Sequence, residues 1–445
     1  MNKNKYFGTD GIRGKVGKTL INPNFVLKLG WAIGKILPYN SSRQVFIGKD
    51  TRSSGDMIES ALVSGLSAAG FSSMLVGYIP TPGIAYLTKK FKGEAGIVIS
   101  ASHNPFYDNG IKIFSKYGTK FSKEVEACIE SKISSDLVCV DSKELGKTLI
   151  VNKYINEYVE FCKSTFPKNI TLNNLKIIVD CANGSTYNIA GNILTDLGAN
   201  VSTISCNPNG ININQKCGAT NTYLLRKKVL QEKADLGIAY DGDGDRVIMI
   251  DHLGNKIDGD HIIYIIVKDQ LNKGKLFGGV VGTVMSNMGL ELSLKKLNIP
   301  FIRSEVGNYF ILKAMKENNW KFGSENSGHI ILLDKTTTDD AIIVGLQILS
   351  ILVQRNVSLY DLCEDIKLLP QKIVNVYYPI LNDLFQLPNV KKVVYEAKKQ
   401  LNGNGRILLR KSGTEPLIRI MVEGEDKEKI SFLAEKIANV IKNCK

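Results

Sequence analysis

Several things are missing from this 445-residue sequence, and each absence excludes a class. No apolar run approaches the ~20 residues a membrane helix needs; Ile262–Val267 is among the longest and stops at Lys268. The start, Met1-Asn-Lys-Asn-Lys-Tyr-Phe-Gly8, has two lysines with no apolar stretch after them, so no secretory leader is expected. The eight cysteines form no C-x-x-C pair. In a chain this long they read as reduced thiols in a cytoplasm, not as a disulfide framework or zinc site. The four histidines (His103, His252, His261, His329) never pair at H-x-x-H or H-x-x-x-H spacing, which argues against a histidine-based metal centre. Nucleotide motifs also fail. Gly17-Lys-Thr19 and Gly146-Lys-Thr148 resemble the end of a P-loop, but Ile12 and Asp141 stand where its first glycine belongs. Gly242-Asp-Gly244 is followed by Val247 where a dinucleotide fingerprint needs its third glycine.

The composition itself is globular, with 44% hydrophobic and 22% charged residues. At about 150 residues per domain the length implies three or four domains. The net charge of +14 is spread along the chain without a block of like charges. With two tryptophans and no RNA- or DNA-binding motif, that charge makes a weak case for nucleic acid. It suits small acidic substrates such as phosphate esters equally well.

Strand and helix patterns alternate almost throughout, the signature of α/β layers. Phe25–Leu37 carries a helical apolar stripe. Strands are expected at Val45–Ile47, Ser73–Val76 and Gly96–Ser100, then at Leu175–Asp180, Val201–Ser205, Leu236–Tyr240 and Val247–Asp251. A third unit opens with a helix over Gly259–Leu271 and the strand Gly279–Gly282. The tail after Pro370 reads strand, helix, strand, strand, helix. Boundaries fall near 150, 253 and 369, giving domains at 1–150, 151–252, 253–368 and 369–445.

Asp241-Gly-Asp-Gly-Asp-Arg246 is the strongest single signal. Three carboxylates at i, i+2 and i+4 would share one side of an extended segment. Crowding them without a cation would raise their pKa values. Hard oxygen ligands without histidine or cysteine suit Mg²⁺ or Ca²⁺. An EF-hand is excluded, because Arg246 and His252 occupy the positions of its glycine and its final glutamate. An arginine next to the triplet fits a metal site that also holds phosphate. The competing reading is an acidic, solvated turn.

The remaining segments are weaker alone. Ser100-Ala-Ser-His-Asn-Pro105 follows a strand, so Ser102 sits at a carboxyl end, where open α/β sheets place ligands. His103 is a poor base for it, since adjacent residues rarely point the right way. An Asn-Pro turn explains the segment about as well. Asn109-Gly-Ile-Lys112 supplies a cation close to that loop. Arg410-Lys-Ser-Gly-Thr-Glu-Pro-Leu-Ile-Arg419 has the makings of an anion nest, or of a charged hairpin. Gly323-Ser-Glu-Asn-Ser-Gly-His329 offers Glu325 and Ser327 to sugar hydroxyls, and Phe7-Gly-Thr-Asp-Gly-Ile-Arg-Gly14 offers Arg13 to an anion.

In this order and spacing the five segments resemble the α-D-phosphohexomutase superfamily along the whole chain, closest to its bacterial branch acting on glucosamine phosphates. The resemblance implies three similar α/β domains with mixed sheets and a smaller C-terminal α+β domain around a central cleft. It makes Ser102 a phosphoserine carrier, with Ser102, Asp241, Asp243 and Asp245 around one Mg²⁺ per subunit. Lys112 and Arg246 would flank the transferred phosphoryl group, and His329 would move a proton. Arg13, Glu325 and Ser327 would bind substrate, and Arg410, Ser412, Thr414 and Arg419 the phosphate that is not reacting. The implied reaction interconverts glucosamine 6-phosphate and glucosamine 1-phosphate through glucosamine 1,6-bisphosphate. It needs a phosphosugar but no nucleic acid or membrane, and implies a cytoplasmic monomer or homodimer. A phosphoglucomutase/phosphomannomutase of the same superfamily is the alternative, and a polyanion-binding protein the non-enzymatic one. Two departures stand out: Gly307-Asn-Tyr-Phe310 replaces the family's Gly-Asp-Arg-Tyr, and Thr337-Thr-Asp-Asp340 its Thr-Thr-Gly-Asp.

Overall fold

The computed structural model describes residues 5–18, 20–39, 42–378, 384–411 and 417–444. The elements expected above are present, with ends shifted by at most two residues. The first α/β domain has a six-stranded sheet in the order Ile12–Lys15, Asp108–Ser115, Ala95–Ile99, Gln44–Lys49, Ser72–Tyr78, Thr148–Ile150. Its centre is parallel and buried on both faces, which is why Ala95–Ile99 is a continuous apolar run. The helix Pro23–Ile36 opens with proline in its first turn, and the Asn22 side chain accepts from Phe25 N. Its apolar stripe packs into the core through Val26, Leu29 and Ile33.

Asp108–Ser115 is a strand in a stretch where the sequence pattern indicates no element. Its Asp-Asn-Gly start is unfavourable for a strand, but antiparallel pairing on both sides, with Ile12–Lys15 and Ala95–Ile99, overrides local preference. That pairing sets Arg13 opposite Gly110 and Lys112 opposite Val98. Lys112 thereby sits on the strand next to the one that ends at Ile99, and Arg13 on the edge strand one place further out.

The second sheet runs Lys256–Ile257, Val247–Asp251, Leu236–Tyr240, Lys176–Asp180, Asn200–Ile204. Leu236–Tyr240 and Val247–Asp251 are fully buried antiparallel neighbours, and their last pair, Tyr240 with Val247, closes the acidic segment into a turn. The third sheet is Phe301–Ser304, Val280–Thr283, Phe322–Ser324, Ile330–Leu332. Its Phe322–Ser324/Ile330–Leu332 hairpin carries Glu325–His329 at the tip. In the tail, Gln371–Tyr377, Leu417–Gly424 and Gly405–Lys411 form an antiparallel sheet, with the helices Pro388–Leu401 and Lys427–Lys442 covering a core that includes Val390, Ile420 and Ile437.

Contacts divide the chain into two compact units, Met1–Thr283 with Ile302–Glu364, and Val284–Phe301 with Asp365–Lys445. In the second, the Asn287 amide bonds Leu369 in both directions and Met288 N donates to Glu423, so the helix Met288–Lys296 is tied to the tail. Among the described residues no helix is long and apolar enough to cross a membrane.

Candidate active site

Ser102 lies just beyond the buried strand Ala95–Ile99, is fully buried, and holds a left-handed backbone with φ +52°. Its Oγ donates to Asp241 Oδ2 at 2.6 Å. His103 Nδ1 is 3.4 Å from the same Oγ. Burial, with Arg246, Arg13 and His329 adding to it, lowers the His103 pKa to about 3, so this ring stays neutral.

The acidic segment departs from the extended geometry expected of it. It is a tight turn, with Gly244 at φ +70° and Gly242 so close to Ser102 that a Cβ there would lie 2.5 Å from the Ser102 carbonyl oxygen. The turn gathers Asp241, Asp243 and Asp245, each contributing an oxygen within 4.8 Å of the others. Asp243 Oδ2 accepts from Thr81 Oγ1 at 2.5 Å and from Lys112 Nζ at 2.7 Å, while its Oδ1 is buried with no hydrogen-bond partner. A buried, unsatisfied carboxylate oxygen beside two further carboxylates is what a hard divalent cation would complete, and the all-oxygen donor set fits Mg²⁺. Burial, reinforced by Asp245 and Asp243, pushes the Asp241 carboxyl up to about 8. Burial acts the same way on Asp245, but His329 and Lys112 outweigh it and hold that carboxyl well below the usual range.

Cations surround the turn. Lys112 Nζ is 2.7 Å from Asp243, 2.8 Å from Asp245 and 3.2 Å from Asp10. Burial would discharge it, yet these three carboxylates raise its pKa well above normal. Asp10 also pairs with Arg13 and Lys120, and Arg13 Nη1 reaches the Ala101 carbonyl at 3.5 Å. Arg246 N donates to Asp241 Oδ1 at 3.2 Å. Sequence reasoning missed Asp10, Lys120 and Thr81; only Asp10 carried a signal, inside the glycine-rich stretch quoted for Arg13.

The hairpin tip of the third domain lies against the acidic turn. Arg246 pairs with His329 in a short antiparallel bridge, and Val247 N donates to the Gly328 carbonyl at 3.1 Å. His329 Nε2 stands 3.1 Å from Asp245 Oδ1, an ion-pair distance without hydrogen-bond alignment. Burial disfavours the charged ring, but Asp245 outweighs it and raises the His329 pKa to about 9. Glu325 is buried, taking Gly307 N on one oxygen at 2.8 Å and Ser327 Oγ on the other at 3.2 Å. Ser102, Lys112, Asp241, Asp243, Asp245, Arg246 and His329 are thus brought together within one compact unit.

In the other unit Arg410 and Arg419 are direct cross-strand partners. Two like charges set opposite each other destabilise a hairpin unless an anion lies between them. Both, with Asn375, line a cavity of about 300 Å³. Ser412 and Thr414 lie outside the described residues.

Comparison with known proteins decides the family. Four models of the phosphoglucomutase/phosphomannomutase family match in order: alpha/beta/alpha domain I at residues 4–137, domain II at 152–254, domain III at 258–369, and the C-terminal domain at 374–440. The chain belongs to this family. Within it, the chain is 60% identical over 442 residues to a phosphoglucosamine mutase of Sodalis glossinidius, covering 99% of each. It is 58% identical to that of Photorhabdus laumondii, covering all of both chains. Among solved structures, a phosphoglucomutase/phosphomannomutase family protein from Burkholderia thailandensis superposes with a TM-score of 0.81 at 21% identity, covering 99% of this chain and 98% of that one. The family architecture of three α/β domains and a C-terminal domain accounts for the four sheets.

The two departures from the phosphohexomutase pattern touch each other. Asn308 Nδ2 donates to Asp339 Oδ2 at 2.6 Å, and the same Asp339 oxygen lies 3.2 Å from His329 Nδ1. Thr338 Oγ1 donates to the other Asp339 oxygen at 2.6 Å. Tyr309, where the family usually has arginine, lies under the Lys123 ammonium, 5.5 Å from the ring centre.

Proposed function

We propose that the chain interconverts glucosamine 6-phosphate and glucosamine 1-phosphate, with Ser102 carrying the phosphoryl group between turnovers. One observation carries this reading: a buried serine hydroxyl donates to Asp241, inside a carboxylate turn ringed by Lys112, Arg246 and His329. Full-length identity near 60% to phosphoglucosamine mutases supports the choice of sugar.

The chemistry assigns each group a task. Phosphorylated Ser102 gives its phosphoryl group to the free sugar hydroxyl, forming glucosamine 1,6-bisphosphate. After the intermediate turns over, Ser102 Oγ takes back the other phosphoryl group, and the serine–phosphate bond is restored. Lys112 and Arg246 face the charge that spreads over the transferring oxygens, where most phosphoryl-transfer catalysis lies. His329 holds a proton next to Asp245 and can exchange it with the sugar hydroxyl or the departing oxygen. Arg13, Glu325 and Ser327 bind the sugar phosphate, and Arg410, Ser412, Thr414 and Arg419 hold the phosphate that is not reacting. Asp241, Asp243, Asp245 and an oxygen on Ser102 would hold Mg²⁺, which when bound neutralises charge on the phosphoryl group. The product would feed amino-sugar nucleotides such as UDP-N-acetylglucosamine for the cell envelope.

Intact-mass analysis should find one phosphate on the active protein, mapping to Ser102, and Ser102→Ala should fold but lose turnover. Side-by-side kcat/KM for glucosamine 1-phosphate, glucose 1-phosphate and mannose 1-phosphate decides the sugar. Faster turnover of either neutral sugar would replace this reading with a phosphoglucomutase/phosphomannomutase.

A further inference from the structure

A left-handed backbone at a non-glycine residue persists only where the surroundings over-determine it. At Ser102 the structure shows what does so. The Ser102 N–H donates to Ser100 Oγ at 2.9 Å, and Ser100 Oγ in turn bonds the buried Asp50 carboxylate. The Ser102 carbonyl accepts from Arg52 Nη2 at 3.1 Å and from Asn214 Nδ2 at 2.9 Å. The same two donors converge on the Asn104 carbonyl, at 2.6 Å and 3.2 Å. Arg52 is only 2% exposed, and its other terminal nitrogen is paired with Asp50. A ring of bonds therefore runs Asp50, Ser100, Ser102, Arg52 and back. Asn214 closes it from the segment matched as domain II, where its own N–H is fixed on the Ala182 carbonyl.

We propose that Arg52 and Asn214 are positioning residues for the phosphoryl carrier: a two-donor clamp on the Ser102 and Asn104 carbonyls that holds the serine in its reactive conformation. The inference rests on Ser102 being the carrier. In such a reaction the sugar must present each end in turn, so the serine is the fixed reference for both half-reactions. Any looseness there lowers the rate in both directions and leaves sugar binding alone. Arginine suits the task because its planar fork serves Asp50 and the two carbonyls at once, whereas lysine offers one point charge.

The test uses the full-length phosphorylated enzyme. A misplacement of about 1 Å can cost ~10²-fold, so Asn214→Ala, which leaves half of the clamp, should lower kcat by about tenfold in both directions, with KM within about twofold. Asn214→Asp keeps the shape but offers acceptors where donors are needed, and should be at least as slow as the alanine variant. A residue that merely fills space would tolerate that change. Arg52→Lys should lower kcat further, and the Arg52→Lys/Asn214→Ala pair should be non-additive, because both side chains act on the same two carbonyls. Wild-type kcat in Asn214→Asp, or a rise in KM with kcat unchanged, would overturn the clamp. So would an activity loss that tracks a lowered melting temperature in all variants. Turnover by Ser102→Ala would instead overturn the carrier assignment, so the two failures are distinguishable.

Discussion

Replacing Lys112 by methionine tests the electrostatics of the site most directly, because it keeps an unbranched apolar stem and removes the ammonium with its charge and its hydrogen bonds to Asp243 and Asp245. Lys112 is almost fully buried, and its ammonium lies 2.7–3.2 Å from Asp243, Asp245 and Asp10. At an effective dielectric constant of ~20, each contact near 3 Å amounts to about 5 kcal/mol of gross attraction. Desolvation cancels most of that sum; removing one partner of a buried cluster typically costs about 3–5 kcal/mol, since charge is left uncompensated. Lys112→Met should therefore melt several degrees lower than the parent in chelator. Divalent metal should then restore more than it adds to the parent, because metal and ammonium oppose the same carboxylates. At 100 times Kd a bound ion contributes about 2.7 kcal/mol, enough to return over half of the loss. Thermal melting of both proteins in EDTA and in graded Mg²⁺, with circular dichroism as a control for fold, measures this. Identical melting in EDTA, or an equal metal-induced shift in the two proteins, would refute the reasoning.

Three further outcomes follow from the same geometry. Activity should vanish in chelator and return with Mg²⁺, and Asp243→Asn should abolish that dependence or the turnover itself, read from initial rates across a metal titration. Arg410→Ala should raise KM for both isomers in steady-state kinetics run in each direction, because the phosphate it holds is present whichever end reacts. Asp340 caps the helix Ala341–Arg355 and accepts from Tyr158, and burial pushes its carboxyl up from the ordinary 3.8 to about 7. Between those values the folded chain binds more protons than the unfolded one, so this group's contribution to stability falls as pH rises through the window. Asp340→Asn keeps a cap acceptor and should flatten that part of the melting-temperature profile between about pH 4 and 7.

The sequence made the chemistry of the turn legible because three hard ligands in six residues leave few other readings. It did not make the mechanism of convergence legible. Period-two alternation suggested an extended segment, but Tyr240–Val247 pairing and the left-handed Gly244 produce a turn instead. Asp108–Ser115 was hidden for a related reason: its opening residues favour a loop, and only pairing on both sides makes it a strand. Asp10, Thr81, Arg52 and Asn214 act at long range. Asn214 is 112 residues from the serine carbonyl it holds, and no local pattern encodes such a partnership.

Asn308 and Asp339 show where a motif comparison, taken one position at a time, gives the wrong impression. Read singly, the first loses a carboxylate beside the sugar loop and the second adds one in place of a glycine. The fold puts the two side chains in contact, 31 residues apart in sequence, both nearly fully buried. The Asn308 amide donates to the Asp339 carboxylate, and the carboxylate faces His329 Nδ1 at 3.2 Å. Had both positions been acidic, two buried carboxylates would share one pocket and one of them would have to take up a proton. With an amide at 308 no further carboxylate is added beside Asp339, which is hydrogen-bonded on both oxygens by Asn308 and Thr338 and held toward the histidine. The two departures therefore act as one change, and His329 is faced by a carboxylate on each ring nitrogen, Asp245 at Nε2 and Asp339 at Nδ1.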